Sequence, residues 1–118
     1  MPSSGDIVDL DLGTPEGREA GFRHPAVVVT AQRILDADPT VVHVVPLTST
    51  VRGFHSEVTI EPDEGEPDEG NGLTSVSAAQ CQHVRAISPR RILTVRGSVG
   101  GLALTQIRET IALLLDLP

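Results

Sequence analysis

The chain contains no tryptophan, no tyrosine and no lysine, only two phenylalanines, Phe22 and Phe54, and a single cysteine, Cys81. One cysteine rules out an intramolecular disulfide framework, and without a Cys/His cluster at ligand spacing a structural zinc site is excluded as well. A metal-free fold with no cofactor, in a reducing cytoplasm, is the expectation. Two aromatic rings are too few for modules that stack successive bases on a ring-lined sheet, which excludes RRM and cold-shock readings. No apolar run reaches the roughly 20 residues needed to span a bilayer, and Met1–Gly5 is not a basic stretch leading into an apolar one. A soluble, cytoplasmic, non-exported protein with no membrane partner is therefore expected.

What is present amounts to 118 residues, enough for one domain (1–118) with one core and no need of covalent staples. The formal charge of −7 argues at first against a nucleic-acid partner. Its distribution weakens that argument. Glu61, Asp63, Glu64, Glu66, Asp68 and Glu69 carry most of the excess, whereas Gly72–Arg108 holds five arginines and no acid. Residues 61–70 read E-P-D-E-G twice over, a tandem duplication whose prolines, glycines and mutually repelling acids predict an exposed loop.

Hydrophobic patterning predicts strands over 6–12, 25–30, 40–46, 54–61, 75–87 and 92–99. In the first, Val8, Leu10 and Leu12 fall on one face and Asp9 and Asp11 on the other, a half-buried alternation. The second and third are nearly continuous β-branched runs, as expected of strands covered on both faces. Residues 13–24, with Pro15, Gly17 and Gly21 among charges, read as a long surface loop. From Leu104 the period changes: Leu104, Ile107, Ile111, Leu114 and Leu115 keep helical spacing, giving an amphipathic C-terminal helix that ends near Pro118. The fold class that follows is mainly β (α+β): a small, closed or partly closed barrel of about six strands with the helix over an opening. Within it His43 reads as a hydrogen-bonded strand histidine and Cys81 as buried.

Five strings stand in a particular order: G-D-I-V at Gly5–Val8, G-R-E-A-G-F-R-H at Gly17–His24, P-A-V-V-V at Pro25–Val29, V-P-L-T-S at Val45–Ser49, and L-L-L-D-L at Leu113–Leu117. In this order and spacing, over essentially the whole chain, they resemble the MazF/PemK (Kid) family of ribonuclease toxins. The resemblance implies a homodimeric SH3-like, PemK-like barrel, held inactive by a MazE-like antitoxin, that cuts single-stranded mRNA at short motifs without a metal. The 2'-hydroxyl would attack the adjacent phosphorus, leaving a cyclic phosphate and a 5'-hydroxyl, which requires a proton acceptor, a proton donor and stabilisation of the phosphorane.

Family members place an arginine directly before the P-A-V-V strand and a threonine directly after the V-P strand. Thr48 matches the threonine. At the arginine position this chain has His24, with Arg23 one place upstream, so the resemblance leaves two assignments: His24 as acid or base, with Arg23 reaching in to clamp phosphate. Glu19 matches a family glutamate in the same loop. Arg18, Ser49, Arg52, His55, Gln80, His83 and Arg85 are the candidates for RNA contact. Two other functions stay open: a degenerate toxin that only binds antitoxin, supported by the His24 substitution, and a CcdB-type gyrase poison on the same barrel, which would not need Thr48.

Overall fold

The computed structural model describes residues 1–13, 23–62 and 70–118. β1 (Asp6–Asp11), β2 (Arg23–Val28) and β3 (Val42–Thr48) form the antiparallel centre of the sheet. Their alternate residues feed two apolar clusters. Ile7, Val27, Val45 and Leu47 meet Cys81 and Ile107 in one, while Val8, Leu10, Ala26, Val28, Val42 and Val44 meet Leu35 and Ile87 in the other. Both faces of the central strands are thus covered, as the β-branched runs predict. β1 departs from its expected half-polar face, because Asp9 is only 6% exposed.

Strand β2 begins two residues before the expected start at Pro25 and so takes in Arg23 and His24. Its pairing with β3 spans Ala26–Val28 only, so Pro25, which has no N–H to offer, falls where that ladder has ended. A single helical turn follows, α1 (Gln32–Leu35), too short to show a period in the sequence and unpredicted; Leu35 is its buried residue.

The expected strand over 75–87 divides into β5 (Ser77–Gln80) and β6 (Arg85–Ile87), separated by a 3-10 turn at Cys81–His83. Both halves pair with β3, β5 near Thr48 and β6 near Val42, so the interruption lies beside Pro46. The chain thereby bends around a point where β3 has no N–H to donate. With β4 (Glu57–Ile60) and β7 (Ile92–Ser98) there are seven strands rather than about six, in the order β4-β5-β3-β2-β1-β7, with β6 beside β3. The path is open among the described residues, with β4 and β7 at its two ends. Helix α2 (Gly100–Leu114) starts at the Gly100-Gly101 entry, four residues before the helical period becomes visible at Leu104, and packs on β4, inserting Ile107 into the core.

The strand expected from Phe54 starts only at Glu57, and Phe54 is 54% exposed instead of facing the core. Glu57 is the cause: its Oε1 accepts the backbone N–H groups of Arg52, Gly53 and Phe54 at 3.1, 3.1 and 3.4 Å, curling the chain ahead of the strand. Glu57→Ala is expected to lower the urea midpoint by an amount worth about 1 kcal/mol, since three amides lose one shared acceptor in a solvent-exposed turn. An unchanged midpoint would show that water replaces the carboxylate at no loss.

Candidate active site

In the β2–β3 register, Val28 stands opposite Val44 and Ala26 opposite Pro46. The ladder ends there, but strand alternation carried two residues on places His24 on the face of Ala26 and Thr48 on that of Pro46. His24 and Thr48 both line a polar cleft of about 280 Å³, together with Ser49, Thr74, Ser77 and Arg96. His24 is half-buried, and burial holds its pKa below the usual histidine value; a hydrogen bond to the Leu47 carbonyl offsets part of that effect. The neutral imidazole is therefore favoured at pH 7, and in that form one ring nitrogen is a donor and the other an acceptor. The Thr48 Oγ1 accepts the Thr50 N–H at 3.1 Å, which leaves its own hydrogen free to donate.

Arg23 does not join them. It stands opposite Asp11, one step out of phase with His24, is exposed, and lines neither the cleft nor the hollow beside it. The arginine in the cleft is instead Arg96, which the sequence reading passed over. In β7 the residues facing β1 are Gly97 opposite Ile7 and Val95 opposite Val8, so Arg96 is the extra residue of a β-bulge. The bulge turns its side chain onto Asp9. Nε donates to Asp9 Oδ2 at 3.0 Å and Nη2 stands 2.9 Å from Oδ1 as an ion-pair contact without hydrogen-bond geometry, while Thr94 donates its hydroxyl to Oδ2 at 2.9 Å. Burial on its own would raise the Asp9 pKa; the hydrogen bonds from Arg96 and Thr94, with the charges of Arg96 and Arg23, outweigh it and hold the carboxyl below its usual range.

Behind Arg96 runs the backbone of 70–72. A Cβ on Gly72, which has φ +71°, would come within 2.8 Å of the Arg96 Cβ and carbonyl oxygen, and one on Gly97 would overlap the Gly70 carbonyl oxygen. Asn71 ties this strap down, its Nδ2 donating to the Glu61 carbonyl at 2.8 Å and its Oδ1 accepting the Leu73 N–H at 3.0 Å. Two signals in the sequence could have pointed to Arg96: an Arg-Gly pair inside a β-branched run, which marks a bulge, and an aspartate inside β1 that needs a cation.

His24 also forms the wall of a second hollow of about 320 Å³, where it meets Pro46, Gln80, His83 and Arg85. Three of the RNA-contact candidates thus lie on one side of His24 and Ser49 lies on the other. Arg52 and His55 sit on the exposed turn before β4 and line neither hollow. Arg18, Glu19 and most of the acidic duplication lie outside the described residues. A third, larger hollow of about 380 Å³ has apolar walls from Val29, Ile34, Ile111 and Leu115, with the exposed His43 at its side. The Arg108 guanidinium there is already engaged with the Val29 and Thr30 carbonyls and the Ser4 hydroxyl. Cys81 is fully buried and its thiol is pushed up to about 11, so it offers no nucleophile. Among the described residues no His/Cys/Asp/Glu group could hold a metal ion, and no helix is long and apolar enough to cross a membrane.

This fold, an antiparallel sheet with one terminal helix, is shared with solved MazF toxins. The structure of MazE–MazF (form II) from Deinococcus radiodurans matches 99% of this chain and 97% of its own, with a TM-score of 0.77 at 24% identity. An endoribonuclease in complex with its cognate antitoxin from Mycobacterial species matches 100% and 98%, with a TM-score of 0.75 at 20% identity. At the level of sequence, the model of the PemK-like, MazF-like toxins of type II toxin–antitoxin systems matches residues 3–115. Endoribonuclease MazF9 of Mycobacterium tuberculosis (strain ATCC 25618 / H37Rv) is 32% identical over 123 residues, spanning 99% of this chain and 98% of that protein. The chain belongs to the PemK/MazF toxin family.

Proposed function

We propose that this toxin is an endoribonuclease that cuts single-stranded mRNA at short sequence motifs by metal-independent transesterification. The observation that carries this reading is the pairing, in one polar cleft, of a neutral imidazole with a hydroxyl donor. The acceptor nitrogen of His24 takes the proton from a ribose 2'-hydroxyl as its oxygen bonds to phosphorus. The P–O5' bond breaks, and the departing 5'-oxygen takes up a proton from the imidazolium so formed. Products are a 2',3'-cyclic phosphate and a 5'-hydroxyl, and His24 returns to its neutral form. The Thr48 hydroxyl orients a phosphate oxygen and does not itself titrate near neutrality. The relative MazF9 is named an endoribonuclease, and two structural neighbours are toxin complexes with an antitoxin. Accordingly a cognate MazE-like antitoxin is the proposed inhibitory partner and a homodimer the proposed working form.

The test is incubation of purified protein with a long unstructured RNA in EDTA, followed by mapping of cut positions and end chemistry. Discrete cuts with cyclic-phosphate ends are expected, and Thr48→Ala should slow them about a hundredfold, the scale for loss of one aimed donor. No cutting at any protein concentration, or cutting only after divalent ions are restored, would overturn the proposal.

A further inference from the structure

We infer that Arg96, held by Asp9, is the residue that binds the reacting phosphate in the cleft, in the place the sequence reading gave to Arg23. The inference rests on the ribonuclease reading for its chemistry but not for its geometry. Arg96 lines the same cleft as His24 and Thr48, and Arg23 does not. Its guanidinium donates Nε to Asp9 and keeps Nη2 in ion-pair contact with the same carboxylate, and Nη1 makes no hydrogen bond among the described residues. The side chain is 38% exposed, open enough to meet a ligand and held at three points. Asp9 fixes the guanidinium from one side, the Thr94 hydroxyl locks the carboxylate, and the strap at Gly70–Gly72 presses on the backbone behind.

Such fixation is what an electrostatic contact to a phosphorane requires, because a donor already in place loses nothing to reorganisation as charge develops. Pairing with Asp9 does not cancel the attraction for an anion. Asp9 feels two guanidiniums, Arg96 and Arg23, so the three together carry one net positive charge. Arg23 thus acts at a distance, through Asp9, rather than on the substrate. Hydroxyls from Thr48, Ser49 and Thr74 line the same cleft and suit phosphate oxygens, beside a smaller apolar share from Pro25, Leu47 and Leu73. Asp9 and Thr94 are positioning residues; Arg96 is the contact.

The experiment compares Arg96→Gln, Arg96→Lys, Asp9→Asn and Arg23→Gln with the unaltered protein, with Arg90→Gln on the exposed turn before β7 as control. Single-turnover cleavage and KM are read, a thermal melt checks that each variant is folded, and inorganic phosphate is titrated while the His24 ring protons are followed by NMR. Arg96→Gln should reduce the maximal rate about a hundredfold with a much smaller change in KM. Arg96→Lys should recover part of it, having the charge but not the fork. Asp9→Asn, with Arg96 intact, should lose roughly tenfold, and Arg23→Gln less than Arg96→Gln. A folded Arg96→Gln that cuts at the unaltered rate, or an Arg23→Gln that carries the loss instead, overturns the inference and leaves the ribonuclease reading standing. Should the unaltered protein cut no RNA, a phosphate-induced shift of His24 that vanishes in Arg96→Gln upholds the anion site while the ribonuclease reading falls. Absence of any shift in the unaltered protein overturns the site as well.

Discussion

Gly97→Ala is expected to remove about 3 kcal/mol of stability or more, the upper range for forcing extra volume into a packed site, and to lower the melting midpoint by roughly 10–20 °C. The new methyl has nowhere to go. It would overlap the Gly70 carbonyl oxygen and stand 2.8–2.9 Å from Asn71 backbone atoms, and backbone cannot rotate away as a side-chain tip can. The strap it would displace is fixed at both ends, by the Asn71 bonds and by the Ser98 N–H donating to Gly70 at 3.3 Å. Gly101→Ala provides the contrast. Nothing lies within 4 Å of that position in the first turn of α2, so alanine should add roughly 0.5–1 kcal/mol through helix propensity. A Gly97→Ala protein melting at the unaltered temperature would show that the strap yields freely, and would remove the backing argued for Arg96.

The second large effect is on rate. His24→Ala should slow cleavage about a thousandfold at pH 7, within the range for a general base, and should flatten the acid limb of the pH profile. In the unaltered protein, burial keeps the folded-state pKa of His24 below its unfolded value. The ring is therefore in its proton-accepting form at neutrality, and the rate should fall tenfold per pH unit only once pH drops below that lowered value. Stability shares the sign. The unfolded chain binds the proton more readily, so this group's contribution is fully present above pH about 6.5 and is lost as pH falls through the folded-state value. A pH–rate profile that is level through the acid range in the unaltered protein, or identical in His24→Ala, would remove His24 from the reaction.

The parts of the fold governed by a regular period were legible in the sequence. β1 came from a period-two alternation, β2 and β3 from β-branched runs, α2 from the spacing of Leu104, Ile107 and Ile111, and the terminal-helix, strand-rich order from their succession. What the sequence concealed lies where period is broken. Cys81–His83 carries no turn residue that would divide an apolar stretch into β5 and β6, and the cause, a proline in β3, belongs to a different strand. The carboxylate of Glu57, reaching back three to five residues, cancelled the alternation that had placed Phe54 in a strand.

The same reason explains the site. Thr48 and His24 are named from residues adjoining strings that mean little singly and more in their order, and the two line one cleft. Arg96 was hidden because bulges at Arg96 and again near Leu93 defeat any reading that assigns faces by counting in twos. Arg23 is assigned to the cleft as part of a loop end, whereas the ladder extends to Asp11 and Arg23 and holds it at the strand's end, outside the cleft lining though its charge still reaches Asp9.

His24 stands between two hollows, one lined by Arg96 and hydroxyls, the other by Gln80, His83 and Arg85. On the proposed ribonuclease reading, a strand of RNA laid across that partition would be divided into a half where bonds change and a half where bases are sorted. The sorting half can therefore drift from one recognition motif to another, residue by residue, while bond-breaking power is preserved. Conversely, loss of catalysis need not erase the ability to hold RNA. A lineage of such toxins can diversify its targets and retire its chemistry by separate mutational routes.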